Sequence, residues 1–279
     1  MQALAHQATT QATPAPRRFA LAGSWCAELL PRSPYETAYT PDGPIIGFAF
    51  DGQVGVHAFA SDRRTAFRAK PNGLAYVPVA CDVYSVSRHG GEYLKISFAR
   101  EPDGPSPCAR RFSDVIDQVA IAAAQRLRRL LMRDESMRGD SIDALQCERF
   151  VEVLKERAIA VSRGTVVPSP VGSCMTPRRL RMIDELIEAR LDGKLTVQEL
   201  AGALGLSTGF FSRAFKAAIG KAPHDHIVDR RISRARALLW STRLDLIGIA
   251  YASGFSSHAH MTATFRARLG VNPSVLRKR

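Results

Sequence analysis

The sequence is poor in the features that staple, anchor or export a chain. Its five cysteines, Cys26, Cys81, Cys108, Cys147 and Cys174, are odd in number, scattered and without a close pair. That pattern argues against a disulfide framework and against a cysteine-held metal; His57 and His89 are isolated as well, so no metal site and no cofactor are expected. No uninterrupted apolar run approaches the roughly 18 residues that span a bilayer, which points away from a membrane. The opening MQALAHQATTQATPAPRRF lacks the basic-then-apolar layout of a secretion signal, which makes the cytoplasm the expected compartment. No nucleophile, base and orienting group can be picked out together, so catalysis is not expected either.

Acidic side chains are also in short supply. The 279 residues carry 39 Lys and Arg against 26 Asp and Glu, a net charge of +13. The excess is uneven: from Thr176 onward there are 18 basic and 8 acidic residues, so ten of the thirteen surplus charges sit in the last part of the chain. A polyanionic partner for that part follows from the charge, although basic surfaces also serve solubility alone. The length fits one or two domains, and a 46% hydrophobic content is enough to build real cores.

Residues 1–17, rich in Ala, Gln, Thr and Pro, read as a disordered start. From about Arg18 to Arg100 the texture is strand and turn. Ile45 to Phe50 is an apolar run closed by Asp51-Gly52, a strong hairpin signal. Val54, Val56 and Ala58 alternate after it. Pro71-Asn72-Gly73 marks a further turn, and His89-Gly90-Gly91 separates two more strands as another hairpin. Many short strands with glycine turns suggest a small barrel or sandwich, either filled by side chains or holding one small ligand. Trp25, Phe48, Phe50, Phe59 and Tyr76 are the aromatics that would line such a pocket or pack its core. Glu101 to Pro107, with three prolines, reads as a loop. Apolar residues then recur at helical spacing from Phe112 through Val119 and Leu127 to Leu131. This stripe must bury itself against the barrel or against a second subunit, and Phe112, Val119, Leu127 and Leu131 are the dimerisation candidates. A second helix follows through Ile142 to Leu154. Residues 166–176 read as a linker between a domain at 18–165 and one at 177–279.

The C-terminal part holds one pattern twice: TVQELAGALGLSTGFFSRAFKAAIG from Thr196 to Gly220, and LIGIAYASGFSSHAHMTATFRARLG from Leu246 to Gly270. Each reads as a short helix, a glycine turn and a capped second helix, which is the helix-turn-helix arrangement. Thr196 and Glu199 have capping-box spacing, and Ser207, Asp245 and Ser256 are further cap candidates. In the first unit Phe211, Ala214 and Phe215 are expected inside, leaving Gly209, Ser212, Arg213 and Lys216 on one outward face. Arg213 is the foremost base reader, because a guanidinium grips a guanine edge through two parallel hydrogen bonds. Lys216 is assigned to phosphate. In the second unit the outward set is Ser257, His258, Ala259, Thr262, Ala263 and Arg266. His258, Ala259, Thr262 and Ala263 face the bases, while Ser256, Ser257 and Arg266 hold phosphate. Ala259 and Ala263 can touch only a thymine methyl, so this unit is the weaker reader. The helix between the units, from Pro223 to about Leu239, carries Arg230, Arg231, Arg234 and Arg236. They are expected to be mostly solvated, with some reaching phosphates.

The stretches 195–223, RISRARALL at 231–239 and 247–274 together resemble the DNA-binding domain of the AraC/XylS family of bacterial transcription regulators. The elements that carry the resemblance are Ile249-Ala250, Gly254-Phe255, Ser256, Phe265-Arg266 and Gly270 to Pro273. Departures are Gly209-Phe210, where an aromatic and a histidine are common, and Met261 and Ala263 in the second reading helix. The resemblance implies a two-domain α+β chain: an N-terminal cupin-like β-barrel with dimerisation helices, and a C-terminal all-α domain of seven helices with two helix-turn-helix units. It further implies binding to two adjacent major-groove segments of double-stranded promoter DNA, contact with RNA polymerase, and a homodimer. The resulting expectation is a transcription regulator, in the activating sense, tuned by a small-molecule effector in the barrel. The alternative is a regulator with no small-molecule ligand, controlled by a partner protein or by its abundance. An enzyme that borrows a DNA-binding domain is the remaining reading.

Overall fold

The computed structural model describes residues 16–21, 24–99, 110–132, 141–164 and 174–277. The expected loop at 101–107, residues 1–15 of the expected disordered start, and residues 166–173 of the expected linker lie outside them.

Among the described residues ten strands come first: β1 (Arg17–Leu21), β2 (Trp25–Leu30), β3 (Tyr35–Tyr39), β4 (Ile45–Ala49), β5 (Gln53–Phe59), β6 (Thr65–Ala69), β7 (Gly73–Val77), β8 (Val83–Ser87), β9 (Tyr93–Phe98) and β10 (Phe112–Ile116). They form two antiparallel sheets, a six-stranded one in the order β1-β2-β9-β4-β7-β10 and a four-stranded one in the order β3-β8-β5-β6. This corrects the cupin-like barrel: no ladder joins the two sheets among the described residues, and each keeps two open edges. The turns explain why. Asp51-Gly52 joins β4 to β5, Pro71-Asn72-Gly73 joins β6 to β7, and His89-Gly90-Gly91 joins β8 to β9; in every case the two strands belong to different sheets. The turn signals are real, but the chain uses them to cross between layers rather than to fold a strand back on its neighbour.

The inner strands β4 and β7 of the six-stranded sheet are covered on both faces, and period-2 alternation sorts their residues. Ile46, Phe48, Leu74, Tyr76, Leu94 and Ile96 join a core shared with two helices, α1 (Gln118–Met132) and α2 (Ser141–Ser162). Their neighbours Ile45, Gly47, Ala49, Gly73, Ala75 and Tyr93 face the four-stranded sheet across a cavity of 370 Å³. Helices, large sheet and small sheet thus form three layers. The apolar stripe expected to begin at Phe112 as helix begins as strand: β10 pairs with β7, and α1 starts only after Asp117, whose carboxylate accepts a hydrogen bond from Ala120 N at 2.9 Å. Arg157 of α2 donates to the same carboxylate at 2.9 Å, which clamps the two helices at that end.

The C-terminal part is all helical: α3 (Pro177–Ala189), α4 (Val197–Ala203), α5 (Thr208–Ile219), α6 (Pro223–Ser241), α7 (Leu246–Ala252), α8 (His258–Leu269) and a closing 3₁₀ turn at Pro273–Leu276. Pro177 occupies the first turn of α3, with the Thr176 hydroxyl as its cap. Two hydrophobic clusters divide this region. Ile183, Ile187, Leu200, Phe211, Phe215 and Ile227 make the core of the first helix-turn-helix unit. Ile249, Phe255, Met261, Phe265 and Leu269 belong to a cluster that continues through α1 and α2 into the large sheet.

Candidate nucleic-acid interface

Both helix-turn-helix units are built by local capping. The Thr196 hydroxyl accepts from Glu199 N while the Glu199 carboxylate accepts from Thr196 N at 2.8 Å, a complete capping box at the start of α4. Arg190 and the capping contacts hold the Glu199 carboxyl below its ordinary value, with the hydrogen bonds to Thr196 contributing most. Gly205 then turns the chain at φ +64°, and Ser207 caps α5. In the second unit Asp245 accepts from Gly248 N at 2.7 Å, Gly254 turns at φ +82°, and Ser257, one residue beyond the expected Ser256, caps α8. Phe211, Ala214 and Phe215 of α5 and Met261, Phe265 and Leu269 of α8 are buried, which fixes the rotation of each reading helix.

That rotation sets the outward faces. On α5, Gly209, Arg213 and Lys216 are exposed and Ser212 is half-buried. The Arg213 guanidinium lies back along the helix over Gly209, where a Cβ would sit 3.8 Å from its Nη1. On α8, Ala259, Ala263 and Arg266 are exposed, while His258 and Thr262 are half-buried and hydrogen-bonded to each other at 3.2 Å. Ser256 bonds His260 Nδ1 at 3.0 Å, the Ser257 hydroxyl is engaged as the cap of α8 through His260 N at 3.1 Å, and Arg266 donates to the Asn272 side chain. The second face is therefore more committed to its own hydrogen bonds than the first.

The arginines of α6 were expected to be mostly solvated, and three of the four are structural. Arg230 pairs with Glu188, Arg231 donates to the carbonyls of Leu191 and Gly193, and Arg236 reaches Glu92 at 2.7 Å. Their partners lie on elements remote in sequence.

The dimerisation and pocket candidates divide. Leu127 and Leu131 of α1 are 0% and 1% exposed, enclosed by the chain's own core, whereas Val119 is exposed and Phe112 stacks on Tyr76 with centroids 6.1 Å apart. Phe59 lines the cavity between the sheets. Trp25, Phe48, Phe50 and Tyr76 instead belong to the core shared with the helices. With no closed barrel and four of the five aromatics turned away from the cavity, the expectation of an effector held in a barrel is corrected. Among the described residues no group of three or more His, Cys, Asp or Glu side chains comes together to hold a metal, and no helix is long and apolar enough to cross a membrane.

A pair of capped helix-turn-helix units with one buried and one exposed face on each reading helix defines a DNA-binding protein of the helix-turn-helix class. The helix-turn-helix domain family matches residues 175–279. The virulence regulon transcriptional activator VirF of Yersinia enterocolitica is 32% identical over 209 residues, 75% of this chain and 73% of that protein. The transcriptional activator AarP of Providencia stuartii is 32% identical over 91 residues, 33% of this chain and 67% of that protein. The probable transcriptional regulator LumQ of Photobacterium leiognathi is 31% identical over 93 residues, and the matched part spans 38% of its length. The chain belongs to the AraC/XylS-type helix-turn-helix transcriptional regulators. The relatives are transcription regulators rather than enzymes.

Proposed function

We propose that this protein is a sequence-specific transcription regulator that binds double-stranded promoter DNA through α5 and α8 in adjacent major-groove segments. The observation that carries the reading is the outward face of α5, where Arg213 and Lys216 stand exposed on a helix whose opposite side is locked in a core. Arg213 is the base reader, Gly209 and Ser212 flank it, and Lys216 takes a phosphate. Ala259 and Ala263 make apolar contacts with base edges, beside His258 and Thr262. Arg266, Ser256 and Ser257 lie along the backbone. The resemblance to VirF, a transcriptional activator by name, favours activation through RNA polymerase. The chain acts as a homodimer whose seam uses the exposed side of the α1–α2 pair, where Val119 lies.

Control comes from a partner protein or from abundance rather than from a small-molecule ligand, a reading supported by the open edges of both sheets and by the packing of Trp25, Phe48, Phe50 and Tyr76 into the core shared with the helices. The test is a binding selection followed by Arg213→Ala. The variant is expected to lose discrimination at one base pair by about 1–3 kcal/mol. Uniform weakening across all sequences would remove Arg213 from base reading. Binding by the full chain should also fall steeply with salt as phosphate contacts release counterions.

A further inference from the structure

Both reading helices end on the N-terminal domain, and they end on the same helix. Helix α5 closes at Gly220, φ +79°, and α8 closes at Gly270, φ +77°. Gly220 is seated so tightly that a Cβ there would lie 2.3 Å from Ile121 Cδ1 and 3.1 Å from Ile116 Cγ2. Gly270 lies against the Arg129 backbone, where a Cβ would be 3.8 Å from the carbonyl oxygen. Ile121 and Arg129 stand eight residues apart on α1, about 12 Å along a rigid helix.

The first of these contacts carries a specific latch. Asn72, in the β6–β7 turn at φ +63°, donates its side-chain amide to the Ile219 carbonyl at 2.8 Å. That carbonyl belongs to the last turn of α5, where no intrahelical partner exists. A side chain of the N-terminal domain thus caps the first reading helix. Arg236 of α6 adds a second tie through buried Glu92, and Ser233 of α6 approaches Asp51 at 3.4 Å.

Between the two units themselves there is less. The first unit's core is a cluster separate from the second's, so apolar packing does not set their mutual distance. Direct links are α6, the polar contacts of Arg231 with Leu191 and Gly193, the seating of Gly254 on the Leu191 carbonyl, and the ion pair of Arg268 with Asp225.

We infer that α1, with Asn72 as its latch and Arg236–Glu92 as its brace, is a gauge that fixes the separation of the two reading helices and so the spacing of the two DNA segments the protein accepts. Asn72 is a positioning residue: it sits at the C-terminal end of α5, behind the outward face, and acts through the helix it caps. Successive base pairs advance by about 3.4 Å, so a rigid gauge rejects a site whose halves are moved by one step. This inference rests on the DNA-binding reading above.

The test uses the full chain and a pool of random-sequence duplexes about 40 base pairs long. The wild type is expected to enrich two motifs at one separation, and to bind a site respaced by one base pair about tenfold less well, the size of one mismatched pair. Asn72→Gly removes the amide while keeping a residue that tolerates positive φ. Asn72→Gly, and Asn72→Gly combined with Arg236→Met, should enrich the same motifs over several separations and discriminate by less than about threefold. If a variant with wild-type circular dichroism keeps the single spacing and the tenfold preference, the gauge is wrong while the regulator stands. If the wild type enriches no sequence, the regulator reading fails and the gauge fails with it. Should the double variant not fold, the single Asn72→Gly profile decides in the same way.

Discussion

The Arg236 guanidinium reaches the Glu92 carboxylate at 2.7 Å across the seam between the two domains, and Glu92 is only 1% exposed. Arg128 of α1 pairs with the same carboxylate and lies over the Phe50 ring, 4.7 Å from its centroid. A carboxylate taken so far from water needs paired cations, and here one comes from each domain.

Removing the shared carboxylate should therefore cost far more than a surface ion pair. Glu92→Ala leaves two guanidiniums facing each other in a closed site, and a loss on the order of 3 kcal/mol is expected from urea unfolding. A change below about 0.5 kcal/mol, typical of exposed pairs, would show that the seam opens in solution.

Acid should weaken the same seam. Burial pushes the Asp51 carboxyl up, but Arg32, Arg230, Arg128 and the Glu92 amide outweigh it and hold the group below its ordinary value. A carboxyl depressed in the folded chain contributes stability above its unfolded pKa and loses it as pH falls through the folded one. The stability gap between wild type and Asp51→Asn should be constant from about pH 7 to 5 and shrink below about pH 4. A gap that widened toward acid would contradict an ionised Asp51.

The two turn glycines, equivalent in the repeated pattern, should differ in their tolerance of alanine. A Cβ at Gly205 meets nothing within 4 Å, so only the positive φ is costly, about 1–2 kcal/mol. At Gly254 it would lie 2.0 Å from the Leu191 carbonyl oxygen and 2.8 Å from Arg231 Nε. Backbone must move there, and a loss of about 4 kcal/mol or more is expected. Thermal melts of the two variants would make the comparison, and equal costs would mean that α3 does not press on the second unit.

Ser257→Ala provides a milder control. The hydroxyl caps α8 through His260 N at 3.1 Å, so its loss should reduce stability by about 1 kcal/mol. If Ser257 also holds a phosphate, affinity should drop in addition while the salt slope stays unchanged, because a neutral hydroxyl displaces no counterion.

The helix-turn-helix pair was legible because its signals are local. Thr196 with Glu199, Ser207, Asp245 and the terminal glycines act within four residues of themselves, and the structure has them all as caps or turns. The strands were also readable, from Ile45 to Phe98, as alternating runs between glycine turns. Sheet membership was not. Nothing in Asp51-Gly52 distinguishes a hairpin from a crossing, since that depends on which strands pair, and the same blindness left Phe48 and Tyr76 open between pocket and core, whereas their register faces the helices. Phe112 to Ile116 carries apolar residues compatible with either period, and only the Asp117 cap marks where strand gives way to helix. The partners of Arg230, Arg231 and Arg236 were beyond reach for the same reason: each lies 38 or more positions away.

The hydrophobic cluster that runs from the large sheet through α1 into Phe265 and Leu269 makes the second helix-turn-helix unit a part of its neighbour. A chimaera that grafts residues 175–279 onto another regulator's front half would sever that cluster and strand Arg236 without Glu92. The inheritable unit is then the seam rather than the domain. Drift on one side, at Ile121 or Asn72, can persist only when matched on the other, at Gly220 and Ile219, so the two halves must change as a pair.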